Sequence, residues 1–204
     1  MRIKIRLLQG ESNQGRINVK KLYADWFPRC WRYPDEVRYR FSLMDLYVLR
    51  HGKAEVFPSA GGKDADRPLT RQGRNEIQHI ASWMMKNRCR FTMIATSHLK
   101  RAEETAEIVA GVYGLTTSLV VWEELSPGLD FDQLMEQIVS CGDISSLLMI
   151  GHEPSLSGCV GRIISDGGTA EITLRKGGLA RIGNFCPDPV SGTLVWLLSP
   201  RHMR

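Results

Sequence analysis

The sequence has few cysteines and no long apolar run. Its 204 residues include five cysteines, and no two of them form a C-x-x-C pair. An odd number of cysteines at scattered positions favours reduced thiols in the cytosol over a disulfide framework or a zinc site. No stretch approaches the roughly 20 apolar residues that span a bilayer, and the N-terminus lacks the apolar core of a signal peptide. We therefore predict a cytoplasmic protein with no membrane partner.

A Walker phosphate loop and a cluster of metal ligands are also missing, which argues against a P-loop nucleotide hydrolase or a metalloenzyme. The composition is that of an ordinary soluble protein, with 43% hydrophobic and 24% charged residues. A chain of this length buries one sizeable core, so we expect a single domain with a short appendage.

The net charge of +5 is concentrated in the N-terminal segment. Residues 1–43 hold ten Lys and Arg against four Asp and Glu, whereas the other 161 residues hold seventeen against eighteen. This basic extension shows no helical or strand period, and Met44 stands just before the first clear strand. We expect residues 1–43 to be disordered or to lie upstream of the native start. The alternative is a docking or nucleic-acid-binding arm, because aromatic and Arg residues alternate there, but nucleic acid is not the expected partner.

From Met44 onwards, all-apolar strands alternate with amphipathic helices, and this pattern predicts an α/β sheet covered on both faces. Thr70 is the expected N-cap of the first helix, Gly114 the C-cap of the second, and Asp130 or Asp132 the N-cap of the third. The predicted strands are 45–49, 91–95, 119–122, 147–150, 179–182 and 193–198.

Three strand ends carry groups that suit one anion site. Arg50-His51-Gly52 follows the first strand, Arg101 opens the helix after the second, and His152 follows a later one. If these strands are parallel neighbours, the groups meet at one edge of the sheet, where ligands bind in α/β folds. Two guanidiniums hold a phosphoryl group through forked hydrogen bonds, and a histidine can act as its nucleophile.

This set of motifs resembles the histidine phosphatase superfamily, and within it the SixA-type phosphohistidine phosphatases. The resemblance covers about residues 44–200 and leaves the extension unmatched. It implies a domain over residues 44–204 with a phosphoglycerate-mutase-like fold, a three-layer α/β/α sandwich around a mostly parallel sheet. The matching motifs are Arg50-His51-Gly52, Arg67-Pro68-Leu69-Thr70, Ser97 with Arg101-Ala102 and Thr105, Glu124-Leu125-Ser126-Pro127, Gly151-His152 and Leu198-Ser199-Pro200.

The resemblance also implies a two-step phosphoryl transfer without a metal or cofactor. His51 would attack phosphorus and become phosphohistidine, and water would then release phosphate. Arg50, Arg101 and His152 would neutralise charge on the phosphoryl oxygens. Ser97 and Gly52 are the further residues expected at the bound phosphate.

The chain departs from the wider superfamily at the general acid. Phosphomonoesterases of this fold usually carry Glu or Asp where this chain has Pro127, so Asp64 and Asp66 are the candidate substitutes, with solvated loop charges as the alternative. An alkoxide leaving group resembles hydroxide, and water has a pKa of about 15.7. A neutral imidazole, whose conjugate acid has a pKa of roughly 6.5, needs less help to leave. The proline therefore favours a phosphorus–nitrogen substrate.

The sequence thus predicts a phosphohistidine phosphatase acting on a histidine-phosphorylated protein, such as a phosphotransfer domain or a phosphocarrier. One alternative keeps the chemistry but acts on small phosphomonoesters, and requires a functional acid. Another is a catalytically silent module that binds phosphoproteins. The complete Arg and His set argues against the silent module.

Overall fold

The computed structural model describes residues 43–56, 62–128, 130–165 and 170–203. The predicted extension, residues 1–43, therefore lies outside the described residues except for Leu43. Six strands are present in the described part: β1 (Met44–Arg50), β2 (Met93–Thr96), β3 (Leu119–Val121), β4 (Ser146–Gly151), β5 (Leu179–Pro187) and β6 (Val190–Leu198). The α-helices there are α1 (Arg71–Lys86), α2 (Lys100–Tyr113), α3 (Phe131–Ser140) and α4 (Ser155–Ile164).

The strands form one sheet in the order β3-β2-β4-β1-β5-β6. The first four in this order are parallel, and β5 and β6 add an antiparallel hairpin at one edge. Strand β4 lies between β1 and β2, so the three strands that carry the predicted site are direct neighbours. The prediction of a mostly parallel α/β sheet is confirmed.

Apolar side chains cover both faces of the sheet. On one face α3 and α4 pack through Leu134, Ile138 and Val160. On the other, α1 and α2 pack through Ile77, Ile80 and Val109. The central strand β4 is buried at every position, which is why its sequence is apolar without alternation. None of the helices among the described residues is long and apolar enough to cross a membrane.

Local signals in the sequence set several element boundaries. The Thr70 hydroxyl accepts a hydrogen bond from the N–H of Gly73, and the Asp130 carboxylate accepts from the N–H of Asp132 and Gln133. Gly114 ends α2 with a φ of 67°, a conformation that glycine adopts without strain. Strand β2 begins at Met93 and not at the predicted Phe91, because Thr92 directs both its N–H and its hydroxyl to the carbonyl of Ser146.

Candidate active site

The carboxyl ends of β1, β2 and β4 bring the predicted residues to one edge of the sheet. Arg50 pairs in register with Gly151, and the N–H of His51 donates to the Gly151 carbonyl at 3.2 Å. On the other side of β4, the N–H of Ser97 donates to the carbonyl of Ile150, also at 3.2 Å. His51, Ser97 and His152 therefore leave the sheet side by side.

His51 is held as a neutral, oriented imidazole. Its residue is 6% exposed, and its Nδ1 lies 2.7 Å from the carbonyl oxygen of Gly52. Since a carbonyl only accepts, Nδ1 carries the proton and Nε2 keeps its lone pair. Burial is the main reason that the pKa of His51 is lowered to about 3; the hydrogen bond to Gly52 raises the pKa, and the nearby His152, Arg101 and Arg50 lower it. The ring therefore has the form that a nucleophile needs at neutral pH.

Gly52 makes a close backbone turn that a side chain would block. A Cβ at this position would lie 2.7 Å from Ile77 Cγ1 and 3.3 Å from the Gly73 carbonyl oxygen. Its N–H donates to the hydroxyl of Thr105 at 3.2 Å, while that hydroxyl donates to the Arg101 carbonyl at 2.7 Å. Helix α2 thus helps to fix Gly52, whose carbonyl orients His51.

His152 is the second buried imidazole, 3% exposed, and its ring centroid lies 5.0 Å from that of His51. Its Nε2 is 2.6 Å from the hydroxyl of Ser97, which also accepts from the N–H of Leu99 at 3.3 Å. With one proton and two lone pairs, the hydroxyl is a partner for either tautomer of His152. Burial, followed by the charge of Arg101, lowers the pKa of His152 to about 4. Ser97 orients His152, and its contact with substrate stays a prediction.

The guanidiniums of Arg50 and Arg101 complete the set of predicted catalytic groups. The Arg50 Nη1 donates to the Leu174 carbonyl at 2.8 Å, and Arg101, with a side chain 6% exposed, opens α2. Burial is the main reason that the pKa of both groups is lowered. Three buried nitrogens, Arg50 Nε, Arg101 Nε and His152 Nδ1, have no hydrogen-bond partner among the described residues. Buried polar groups normally find a partner, and the two Arg Nε–H groups are donors of the kind that suits an anion.

The two candidate acids lie in a short 3₁₀ turn, Asp64–Asp66, and only one contacts the site. Arg101 donates to the Asp64 carboxylate at 3.1 Å and to its carbonyl at 2.9 Å, and Arg67 binds the same carboxylate at 2.7 Å. Burial alone would raise the pKa of Asp64, but the charges of Arg101 and Arg67 outweigh it and the pKa is lowered. Asp66 accepts a hydrogen bond from the N–H of Lys63 at 3.3 Å. Asp64 is therefore an ionised partner of Arg101.

Two further carboxylates support the site and were not singled out from the sequence as parts of it. Glu104 on α2, 5% exposed, accepts from the N–H of Leu69 at 2.7 Å and binds Arg74 at 2.6 Å, so it ties α2 to the segment before α1. Glu123 lies 3.0 Å from Nδ1 of His98, beside the loop that ends in Pro127. Helical spacing alone would pair Arg101 with Glu104 on their shared helix. Arg101 instead binds Asp64, thirty-seven positions away.

Known proteins are similar to this chain in sequence and in fold. The family model of the histidine phosphatase superfamily (branch 1) matches residues 46–128. A Picosynechococcus sp. protein described as uncharacterised is 33% identical over 140 residues, which cover 67% of this chain and 82% of that protein. The chain belongs to the histidine phosphatase superfamily.

Within this superfamily, the phosphohistidine phosphatase SixA of Escherichia coli (strain K12) is 26% identical over 171 residues, 79% of this chain and 97% of SixA. A structure of SixA complexed with tungstate is similar with a TM-score of 0.71 and 25% identity, and covers 79% of this chain and 100% of that one. A phosphoglycerate mutase from Bacillus anthracis shares the fold, with a TM-score of 0.57 and 14% identity over 79% and 96% of the two chains. The predicted phosphoglycerate-mutase-like fold is confirmed.

Proposed function

We propose that this histidine phosphatase removes phosphate from histidine residues of another protein, through a phosphorylated His51. The observation that carries the proposal is the state of His51, a buried neutral ring whose Nδ1 is bound to Gly52 and whose Nε2 is available. The similarity to SixA supports the same activity.

The first step forms a bond between His51 Nε2 and phosphorus and breaks the bond from phosphorus to the substrate ring. Donors of Arg50, Arg101 and His152 would bind the phosphoryl oxygens throughout, so charge is stabilised by groups already in place. In the second step water attacks phosphorus and the His51 ring leaves. Because the Gly52 carbonyl keeps a proton on Nδ1, His51 leaves as a neutral imidazole.

The absent carboxylate favours phosphohistidine over an alkyl phosphate. Pro127 follows the loop Glu123–Leu125, which packs near Gly151, and a proline side chain has no proton to give. Asp64 is a poor substitute, since its carboxylate is held ionised by Arg101 and Arg67. An alkoxide would leave such a site slowly, whereas an imidazole protonated at its other nitrogen would not.

Two of the connections at the site are short, which favours a phosphate carried by a protein. Three residues join β2 to α2, and three join β4 to α4, so neither connection forms a lid. The proposed substrates are a histidine-containing phosphotransfer domain or a phosphocarrier, and a cytoplasmic location stays part of the proposal.

The test compares a histidine-phosphorylated carrier protein with a panel of phosphomonoesters. We expect kcat/KM to be highest for the carrier. After rapid quench, digestion at high pH, which preserves the acid-labile phosphorus–nitrogen bond, should recover phosphate on His51. The His51→Ala variant should lose turnover and labelling together. Faster hydrolysis of sugar phosphates would contradict the substrate, and full activity of His51→Ala would contradict the mechanism.

A second candidate function is hydrolysis of small phosphomonoesters. The observation that favours it is the Asp64 carboxylate, 3.1 Å from the Arg101 guanidinium and therefore close to the expected phosphate. It requires a protonated Asp64 during turnover. In that case Asp64→Asn would slow esters far more than phosphohistidine.

A further inference from the structure

His98 forms a second polar cluster next to the proposed catalytic groups. Its Nδ1 lies 3.0 Å from the Glu123 carboxylate and 3.1 Å from the Ser126 hydroxyl. Since a carboxylate only accepts, Nδ1 carries a proton, and Nε2 is the nitrogen left for another partner. The side chain of His98 is 43% exposed, so solvent can restore a proton that it gives away.

Two loops bring this cluster to the mouth of the site. His98 follows Ser97, whose hydroxyl binds His152. Glu123 and Ser126 belong to the loop whose Leu125 carbonyl packs 3.0 Å from the Cβ position of Gly151, the residue before His152. After burial and Arg101, the charge of His98 is among those that lower the pKa of His152, which places the two rings within electrostatic reach.

The chemistry of a phosphorylated imidazole calls for a proton at this place. When the phosphorus–nitrogen bond breaks, its electron pair goes to the ring, and the ring leaves as a neutral imidazole only if its other nitrogen is protonated. His51 meets this requirement through the Gly52 carbonyl. The substrate ring needs an equivalent donor on its side away from phosphorus.

An ester needs its acid elsewhere. The proton must reach the oxygen bound to phosphorus, where the superfamily usually supplies a carboxylate and this chain has Pro127. The far nitrogen of a substrate ring lies on the side of the ring away from phosphorus. A donor for phosphohistidine therefore acts on a different atom from a donor for an ester, and the position of Pro127 does not have to supply it.

We propose that His98, oriented by Glu123, protonates the far ring nitrogen of the phosphohistidine substrate as the bond to phosphorus breaks. The Nε2 proton of a cationic His98 passes to the substrate ring, which departs as neutral imidazole, and the neutral His98 regains a proton from solvent. This inference rests on the proposed function, because only a substrate with two ring nitrogens uses such a donor.

The test uses two small substrates that differ at the far nitrogen. In phosphoimidazole this nitrogen gains and loses a proton, whereas in the N-methylated phosphoimidazolium a methyl group replaces that proton and fixes the positive charge. We would measure kcat/KM for the wild-type protein and the His98→Gln and Glu123→Gln variants. The rates are compared from about pH 6 to pH 8, the range over which an ordinary imidazole loses its proton. His79→Gln is the matched control, since His79 is an exposed histidine on α1, outside the proposed site.

We expect His98→Gln to slow phosphoimidazole by about 100-fold, the lower range for general acid catalysis, and to leave the methylated substrate at the wild-type rate. Glu123→Gln should show a smaller loss on phosphoimidazole alone, and His79→Gln none. Equal rates of His98→Gln and wild type on both substrates would overturn the inference. An equal loss of rate on both substrates would mean that His98 positions the substrate, and it would also overturn the inference. If the wild-type protein hydrolyses neither substrate nor a phosphohistidine carrier, the proposed function itself is refuted, and this inference is refuted as well.

Discussion

The backbone N–H of Gly52 donates a hydrogen bond of 3.2 Å to the side-chain hydroxyl of Thr105, fifty-three positions along the chain. The same glycine accepts the Nδ1 proton of His51 through its carbonyl at 2.7 Å. One residue, Gly52, therefore links the first turns of α2 to the proposed nucleophile through its N–H and its carbonyl. We therefore expect Thr105 to position His51 without contacting the phosphate itself.

We expect Thr105→Val to lower kcat on phosphohistidine by about tenfold to 100-fold, because small displacements of a reacting group cost rates of this order. The buried N–H of Gly52 would lose its acceptor, which costs about 1–3 kcal/mol of unfolding free energy. Thr105→Ser keeps the hydroxyl and serves as the control. Steady-state kinetics and urea unfolding measure the two effects, and a wild-type kcat in Thr105→Val would refute the positioning role.

Gly52→Ala tests the close approach of α1 to this peptide. A Cβ there would meet Ile77 Cγ1 at 2.7 Å and Leu69 Cδ2 at 3.2 Å, so we expect a loss of about 1–3 kcal/mol from overpacking together with a fall in kcat. Gly111→Ala is the matched control, since nothing lies within 4 Å of its Cβ position in α2. That change should stabilise the helix by about 0.5–1 kcal/mol. Equal unfolding free energies for the two variants would contradict this account.

The two buried histidines make stability depend on pH. Burial lowers the pKa of His51 to about 3 and that of His152 to about 4, below the value of roughly 6.5 in an unfolded chain. Between these values the unfolded state binds more protons than the folded one, so the free energy of unfolding falls as the pH falls from about 6.5 to about 3. Above pH 6.5 this contribution is fully present.

We expect His51→Asn to flatten this pH dependence, which chemical unfolding at a series of pH values would measure. Asparagine keeps a side-chain N–H near the position of Nδ1 but does not titrate. His79→Gln, at an exposed position, should follow the wild-type curve. Parallel curves for His51→Asn and the wild type would mean that His51 is not buried in neutral form.

Much of the fold follows from local sequence signals. Thr70, Gly114 and Asp130 set helix ends because a cap depends on residues within one turn. All-apolar segments predicted β1 and β4, since only a strand covered on both faces excludes polar side chains at every position. The glycines and charged residues at the strand ends then predicted that Arg50, His51 and His152 meet at one edge of the sheet.

Long-range pairing between polar side chains was not visible in the sequence. The contact of Arg101 with Asp64 depends on how the segment before α1 folds over α2, which no local pattern encodes. The pairing of His98 with Glu123 likewise joins two loops from different strands. Periodicity describes which face of an element is buried, and it carries no information about which loop charges meet.

Asp64→Asn distinguishes a partner of Arg101 from a general acid. The Asp64 side chain is 66% exposed, whereas that of Arg101 is 6% exposed. The guanidinium also binds the Asp64 carbonyl at 2.9 Å, a contact that the variant retains. The substitution therefore removes a negative charge beside the expected phosphate without freeing Arg101. Exposed ion pairs contribute about 0.2–1 kcal/mol, which corresponds to a twofold to fivefold effect at most.

We expect Asp64→Asn to bind tungstate about twofold to fivefold more tightly, measured by calorimetry, and to keep its kcat on phosphohistidine. Asp66→Asn is the control, because Asp66 accepts from the Lys63 N–H in the same turn and should leave both values unchanged. A carboxylate that Arg101 and Arg67 hold ionised has no proton to donate at neutral pH. If Asp64→Asn instead lost about 100-fold of kcat on phosphomonoesters while phosphohistidine turnover persisted, Asp64 would be the acid, and small esters would belong among the substrates.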